Sequence, residues 1–372
     1  MIEIRSALQL VRGPLVVMAV LLLTACTQVP HKEFGSYKES FAHAKEASKQ
    51  IILDYSTLKQ RIDVQNAAQD AASDPTPERN KPFDPEKIIA SSDPVDHIAA
   101  RFQAWEVVDR YNTALTALVE GKGAAQVTGA TESLVKTMEN FPAESFQKAA
   151  ADITPALSVV TTLMTEIQAN YDRERAVQAL ITISPKIREG LVNGMIEDTK
   201  NYFEVFRALN NQQISSSVLE IGNAAASFVT LAISGPLNQD VKDKVKRIND
   251  AVGNNIVSSA SKAFENPYID VTKLRFKTSG GNEGPLMNSQ LDDNVKTIVE
   301  TAKEIEAADN ANNDYRKLLG NYVMMLHKLN RSLQNLAQAA KMGTNASPES
   351  LQLLYSAVRV QRAYAAYRKN AN

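Results

Sequence analysis

The chain has 372 residues, with 41 lysines and arginines against 42 aspartates and glutamates, so it is close to neutral. It has no basic excess with which to hold a nucleic-acid backbone, and its lone cysteine has no partner in the chain for a disulfide. Only 15 glycines are present, while Ala, Leu, Gln, Lys and Glu abound, which favours helix over strand.

The first segment carries Arg5 and Arg12, then an apolar run from Pro14 to Leu23, and ends in Leu23-Thr24-Ala25-Cys26. The run is about ten residues, against the ~20 that a helix needs to span hydrocarbon. A basic start, an apolar middle and a small-residue end make a cleaved export signal. Leu23-Thr24-Ala25-Cys26 resembles the lipobox of bacterial lipoproteins, and the resemblance covers residues 1–26. In that family the thiol receives a diacylglyceryl group, the preceding peptide is removed, and the new N-terminus is acylated.

The resemblance therefore implies a signal peptide over residues 1–25 and lipidation, with chains such as palmitate, at Cys26. Each buried methylene contributes ~0.8 kcal/mol, so three acyl chains on one residue would hold the protein on a bilayer essentially permanently. An Asp directly after the cysteine tends to retain such proteins at the inner membrane. Thr27 and Gln28 stand here instead, which implies the outer membrane, facing the periplasm. The leader departs from the pattern in its length and in carrying Glu3. Without Glu3, Arg5 and Arg12 the formal charge of −1 becomes about −2.

Behind the cysteine, Phe34, Tyr37, Phe41, Ala44, Ser48, Ile51, Tyr55, Leu58 and Ile62 recur at intervals of three and four. That spacing predicts one helical stripe, with a first helix from about Ser36 to Gln65. Residues 26–66 would thus be a short tether and that helix. Pro75, Pro77, Pro82, Pro85 and Pro94 follow, and proline removes backbone donors and pushes its predecessor out of helical geometry. Residues 67–93 are expected to be a linker or loop, with disorder favoured over a functional loop.

A helical-bundle domain is expected over residues 94–372. Asp93-Pro94 is a helix start, with Ile98, Phe102, Trp105, Val108, Tyr111 and Leu115 on one face up to Gly121-Lys122-Gly123. A shorter helix is expected over 124–139, and another opening at Pro155. Ser184-Pro185 is expected to break or kink the segment after it. Residues 214–233 are the most apolar stretch behind the leader, with Glu220 its one charge, and Gly235-Pro236 ends it. A helix is expected from about Asn238 to Phe264, then loop to Pro285. From Ile298 to Ala340 the three-and-four spacing runs on without a proline. A helix over 286–341 would be roughly 80 Å long at ~1.5 Å per residue, with a kink or split expected in the Asn-rich run Asp309 to Asp314. A last helix is expected over 348–369. The fold class is therefore all-α, an elongated antiparallel bundle of long heptad-patterned helices.

No catalytic, cofactor-binding or metal-ligating residue is expected from the sequence. None of His31, His43, His97 and His327 follows a Glu at the three-residue spacing of a di-iron bundle, and no His-Glu-x-x-His run is present. His43 and Glu46 read as a solvated contact. Gly121-Lys122-Gly123 and Ser279 to Gly284 read as turns without phosphate-holding residues, and Asp309 to Asp314 lacks the central glycine and distal glutamate of a calcium loop.

Ser217, Gly222, Ala224, Ala225 and Ala226 would let helices approach closely. A bundle helix buried on all sides is favoured there over a membrane-inserting one, since Glu220 would be costly in a bilayer. Tyr355, Tyr364 and Tyr367 with Arg359, Arg362, Arg368 and Lys369 read as a packed tyrosine face with solvated arginines, ahead of a surface for anionic lipid. The functional expectation is a non-catalytic, lipid-anchored binding or scaffolding module with a protein or envelope partner and no nucleic acid. The alternatives are a pore-forming or membrane-remodelling protein using 214–233, and a solute-binding protein or enzyme with a scattered site.

Overall fold

A computed structural model describes residues 31–73, 95–120, 122–141, 155–162, 165, 173–233, 239–248, 285–342 and 349–371. Among these residues every regular element is helical. The helices are α1 (His31–Ser73), α2 (Val95–Val119), α3 (Ala124–Glu139), α4 (Arg173–Lys186), α5 (Asn193–Ile233), α6 (Pro285–Met342) and α7 (Glu349–Ala371), with a π-helical segment Ile187–Val192 between α4 and α5. Residues 155–162 and 239–248 are helical too.

The chain forms two compact units. The first holds the described residues up to Leu53, from Val95 to Thr199, and from Asn321 to Gln361; the second holds those from Asp54 to Ser73, from Lys200 to Gly320, and from Arg362 onward. Helices α1, α5, α6 and α7 each contribute residues to both.

In the first unit the α1 stripe is buried at Phe34, Tyr37, Phe41, Ala44 and Ile51. Phe41 meets Trp105 of α2 with ring centroids 5.7 Å apart. At the edge of this contact Lys45 donates to Glu106 (2.8 Å) and Asp109 (2.6 Å). Burial pulls the Lys45 ammonium down, but the two carboxylates outweigh it and raise its pKa. Helix α3 packs on α2 through Val127, Leu134 and Met138. Its Thr131 is fully buried and returns its hydroxyl to the Val127 carbonyl at 2.8 Å, so no polar group is orphaned there.

In the second unit α5 and α6 run antiparallel. Phe206 stacks on Tyr315, Asn210 reaches Ala308, and Phe228 lies with Leu291 and Val295, so numbering rises on one helix as it falls on the other. Ile214, Ile221, Ala224 and Ala225 pack with Ile298, Ala302, Ile305 and Ala308. Lys244 in 239–248 is buried and paired with Asp240 (2.7 Å) and Asp292 (3.1 Å); burial opposes its charge, and the two carboxylates prevail and raise its pKa.

Four local expectations are corrected. Residues 67–73 continue α1 rather than beginning the linker, because no proline intervenes before Pro75. Pro185 does not end the helical path. It lies exposed near the end of α4, and the wider turn Ile187–Val192 carries the chain into α5 with Ile187, Gly190, Leu191 and Val192 buried. A π turn takes up an extra residue, so a departure from α-helical geometry follows Pro185 while the helical path is not broken. The run Asp309 to Asp314 stays helical inside the 58 residues of α6. Ala308, Ala311 and Tyr315 are buried, while Asn310 and Asn313 are exposed, so tertiary burial overrides weak helix propensity.

The fourth concerns residues 214–233, which are not buried on all sides. Ile214, Ser217, Ile221, Ala224, Ala225 and Phe228 point inward, but Leu219 is 62% exposed, and Glu220, Asn223 and Ala226 are exposed too. A Cβ added at Gly222 would meet nothing within 4 Å, so this glycine does not mark a close helix approach. Among the described residues no helix is long and apolar enough to cross a membrane.

Candidate functional site

Cys26, the 74–93 part of the linker, and the Ser279 to Gly284 loop lie outside the described residues. Of the other positions singled out in the sequence, those with described side chains form no cluster. His43 and Glu46 are exposed on α1, and His327 is exposed on α6. Among the described residues no group of three or more His, Cys, Asp and Glu is placed to hold a metal. The C-terminal tyrosines divide: Tyr355 is 67% exposed, whereas Tyr367 is buried and packs on Tyr315 with centroids 5.1 Å apart. Tyr367 is a core residue of the second unit rather than an interfacial one.

The second unit contains a cleft of about 500 Å³. One wall is a single face of α1, where Asp54, Leu58, Arg61 and Gln65 recur at helical spacing. The facing wall is α5, with Phe206, Leu209, Asn210 and Gln213 at the same spacing. Among the described residues α6 lines it with Ala307, Ala308 and Ala311, whose side chains are short, and α7 adds Tyr367 and Arg368. A second hollow, of about 840 Å³, is bounded among the described residues by α6 at Ala307, Asn310, Asn313, Asp314, Arg316 and Lys317.

Asp54 is the most deeply placed charge in the cleft. Its side chain is 6% exposed, and Arg368 Nη1 approaches Oδ1 at 3.5 Å, the outer limit of a hydrogen bond. Its other oxygen, Oδ2, is buried with no hydrogen-bond partner. Burial pushes the Asp54 carboxyl above the usual carboxylate range, against the opposing pull of Arg368, Tyr367 and Arg61. The same carboxylate raises the pKa of Tyr367, whose burial is the larger cause. Asn210 is fixed at the cleft wall by donating from Nδ2 to the Ala308 carbonyl at 2.9 Å.

A different arrangement holds the other buried pair. In the first unit Arg101 grips Asp198 through Nε to Oδ2 (2.5 Å) and Nη2 to Oδ1 (2.7 Å), both side chains being 6% exposed. This two-pronged geometry engages both carboxylate oxygens, so the pair is closed on itself. The cleft pair is open.

Sequence reading passed over Asp54, Arg61, Asn210 and Gln213. One signal was present: Asp54 falls three residues after Ile51 and four before Leu58, on the inward stripe of a helix. A charge at an inward position requires a partner or a purpose. No family model matches the chain, and neither a curated protein nor a solved structure matches it.

Proposed function

We propose that the chain is a lipid-anchored envelope protein whose helical part is a non-catalytic binding module facing the periplasm. The observation that carries the proposal is Cys26, the only cysteine, placed at the end of Leu23-Thr24-Ala25-Cys26 behind a short apolar run. Helix α1 begins at His31, five residues beyond the proposed anchor, so the tether is short.

Support for binding rather than reaction comes from the cleft. Its described lining offers a carboxylate, guanidinium groups and amides, which recognise a ligand by charge and hydrogen bonds. That lining contains neither histidine nor cysteine, so Ser216 has no imidazole beside it in the cleft to activate it as a nucleophile. The outer membrane is the favoured location, on Thr27 and Gln28 after the cysteine.

The test is metabolic labelling with palmitate and fractionation of a bacterial envelope. The wild-type chain should carry label and sediment with outer membrane, and Cys26→Ser should lose label and become soluble with an unchanged circular dichroism spectrum. An unlabelled wild-type chain, or a Cys26→Ser chain that stays membrane-bound, overturns the anchor.

A further inference from the structure

We propose that the cleft of the second unit binds a small zwitterion, an α-amino acid or short peptide with a free ammonium and a free carboxylate. This rests on the reading of the helical part as a binding module and names what it takes.

Asp54 has unused acceptor capacity. A carboxylate offers about four lone-pair sites, yet Asp54 has a 3.5 Å contact with Arg368 on Oδ1 and the pull of the Tyr367 hydroxyl, and its buried Oδ2 has no hydrogen-bond partner within 3.5 Å. An under-satisfied buried carboxylate is costly, and a helical core of this length has many ways to replace it with an apolar residue. Its position on the wall of a cleft is explained if a donor arrives from outside. The terminal torsion of an aspartate is soft and two-fold, so turning about it exchanges the two oxygens and can present either one to that donor.

The second step is charge. Arg61 and Arg368 border the same cleft, and both act on the Asp54 carboxyl. A simple cation would gain from Asp54 and be opposed by two guanidinium groups; a simple anion would meet the reverse. A ligand with both charges a few ångströms apart satisfies each end at once, its ammonium on Asp54 and its carboxylate on the planar fork of an arginine. Gln65, Gln213 and the fixed Asn210 then supply neutral donors and acceptors along the ligand's length. The volume of about 500 Å³ lies within the range of small-molecule sites, ~300–1,000 Å³.

The experiment uses the full chain in detergent micelles and saturation-transfer NMR with a pool of the common amino acids and L-alanyl-L-alanine. Members that receive saturation are then titrated by calorimetry. At least one member should bind, and blocking its amine by acetylation or its carboxylate by amidation should each weaken binding about tenfold or more. Asp54→Asn and Arg368→Gln should weaken it to a similar degree with unchanged circular dichroism. Should Asp54→Asn fail to fold, Arg368→Gln and Arg61→Gln, both exposed at the rim, carry the test. The proposal is overturned if no pool member receives saturation, if the acetylated and free forms bind alike, or if the folded charge variants bind as wild type does. Such a failure leaves the lipid anchor standing, because palmitate labelling at Cys26 is read independently.

Discussion

Among the described residues, each of the two units buries a carboxylate against an arginine, and they do so in opposite ways. In the first, Arg101 and Asp198 are both 6% exposed and joined by two short hydrogen bonds. In the second, Asp54 is as deeply buried, but Arg368 is 50% exposed and only touches Oδ1, leaving Oδ2 unpartnered. A closed pair compensates its own desolvation and serves the fold. An open pair beside a cleft leaves attraction available for something else. Burial of a charge therefore does not by itself mark a site; the state of its second oxygen does.

The comparison would break most visibly at Arg101. Arg101→Met should leave Asp198 buried without its charged partner and cost about 3–5 kcal/mol in urea unfolding. Arg101→Met with Asp198→Leu should recover much of that loss, and a single variant costing under about 1 kcal/mol would show that the pair is not closed at all. Next in size is Asn210→Ala, which deletes a buried donor to the Ala308 carbonyl at 2.9 Å and should cost about 1–3 kcal/mol.

Asp54→Asn should change stability by less than about 1 kcal/mol, because a poorly compensated charge disappears with its partner left in solvent. Its clearer signature is pH dependence. Burial, outweighing Arg368, Tyr367 and Arg61, raises the folded Asp54 carboxyl above 3.8. The folded chain then holds this proton more tightly than the unfolded chain, so Asp54's contribution to stability falls as pH rises from 3.8 through the raised value. Glu106 runs the other way. Burial pushes it up, but Lys45 and Arg110 outweigh burial and lower its pKa below 4.5. Its contribution is present above 4.5 and is lost as pH falls through the lowered value. Melting curves from about pH 3 to pH 8 should show Asp54→Asn flattening the decline and Glu106→Gln removing part of the acid-side loss.

The smallest expected effect carries the opposite sign. A Cβ at Gly222 meets nothing within 4 Å in the middle of α5, so Gly222→Ala should raise stability by about 0.5–1 kcal/mol. A loss there would mean that Gly222 does mark a close helix contact after all.

Much of the helical layout was legible because burial in a helix writes a period of three and four into the chain. The stripe from Phe34 to Leu58 and the long run from Ile298 to Leu336 are buried as that period requires, and Ala124–Glu139 falls where glycine and asparagine bound it. Legibility failed where a local rule met a tertiary contact. Asparagines at 310, 312 and 313 argue for a defect, but Ala308 and Tyr315 are held from α5 by Asn210 and Phe206. Pro185 argues for a break, yet its side chain is exposed and the residues after it are buried.

The sequence by itself determined that the chain is helical and where most helices begin and end, because those features depend on periodicity and on residues near one another. It also carries the argument for an anchor at Cys26, which depends on a short contiguous signal. Only the tertiary structure decided which charges are satisfied. Asp54, Asn210, Ala308 and Arg368 come from four different helices, so no spacing along the chain records their meeting. An aspartate on an apolar stripe announces that something must face it; whether an arginine closes on it with two hydrogen bonds or leaves it open depends on helices 97 or 314 residues away, and packing alone fixes that.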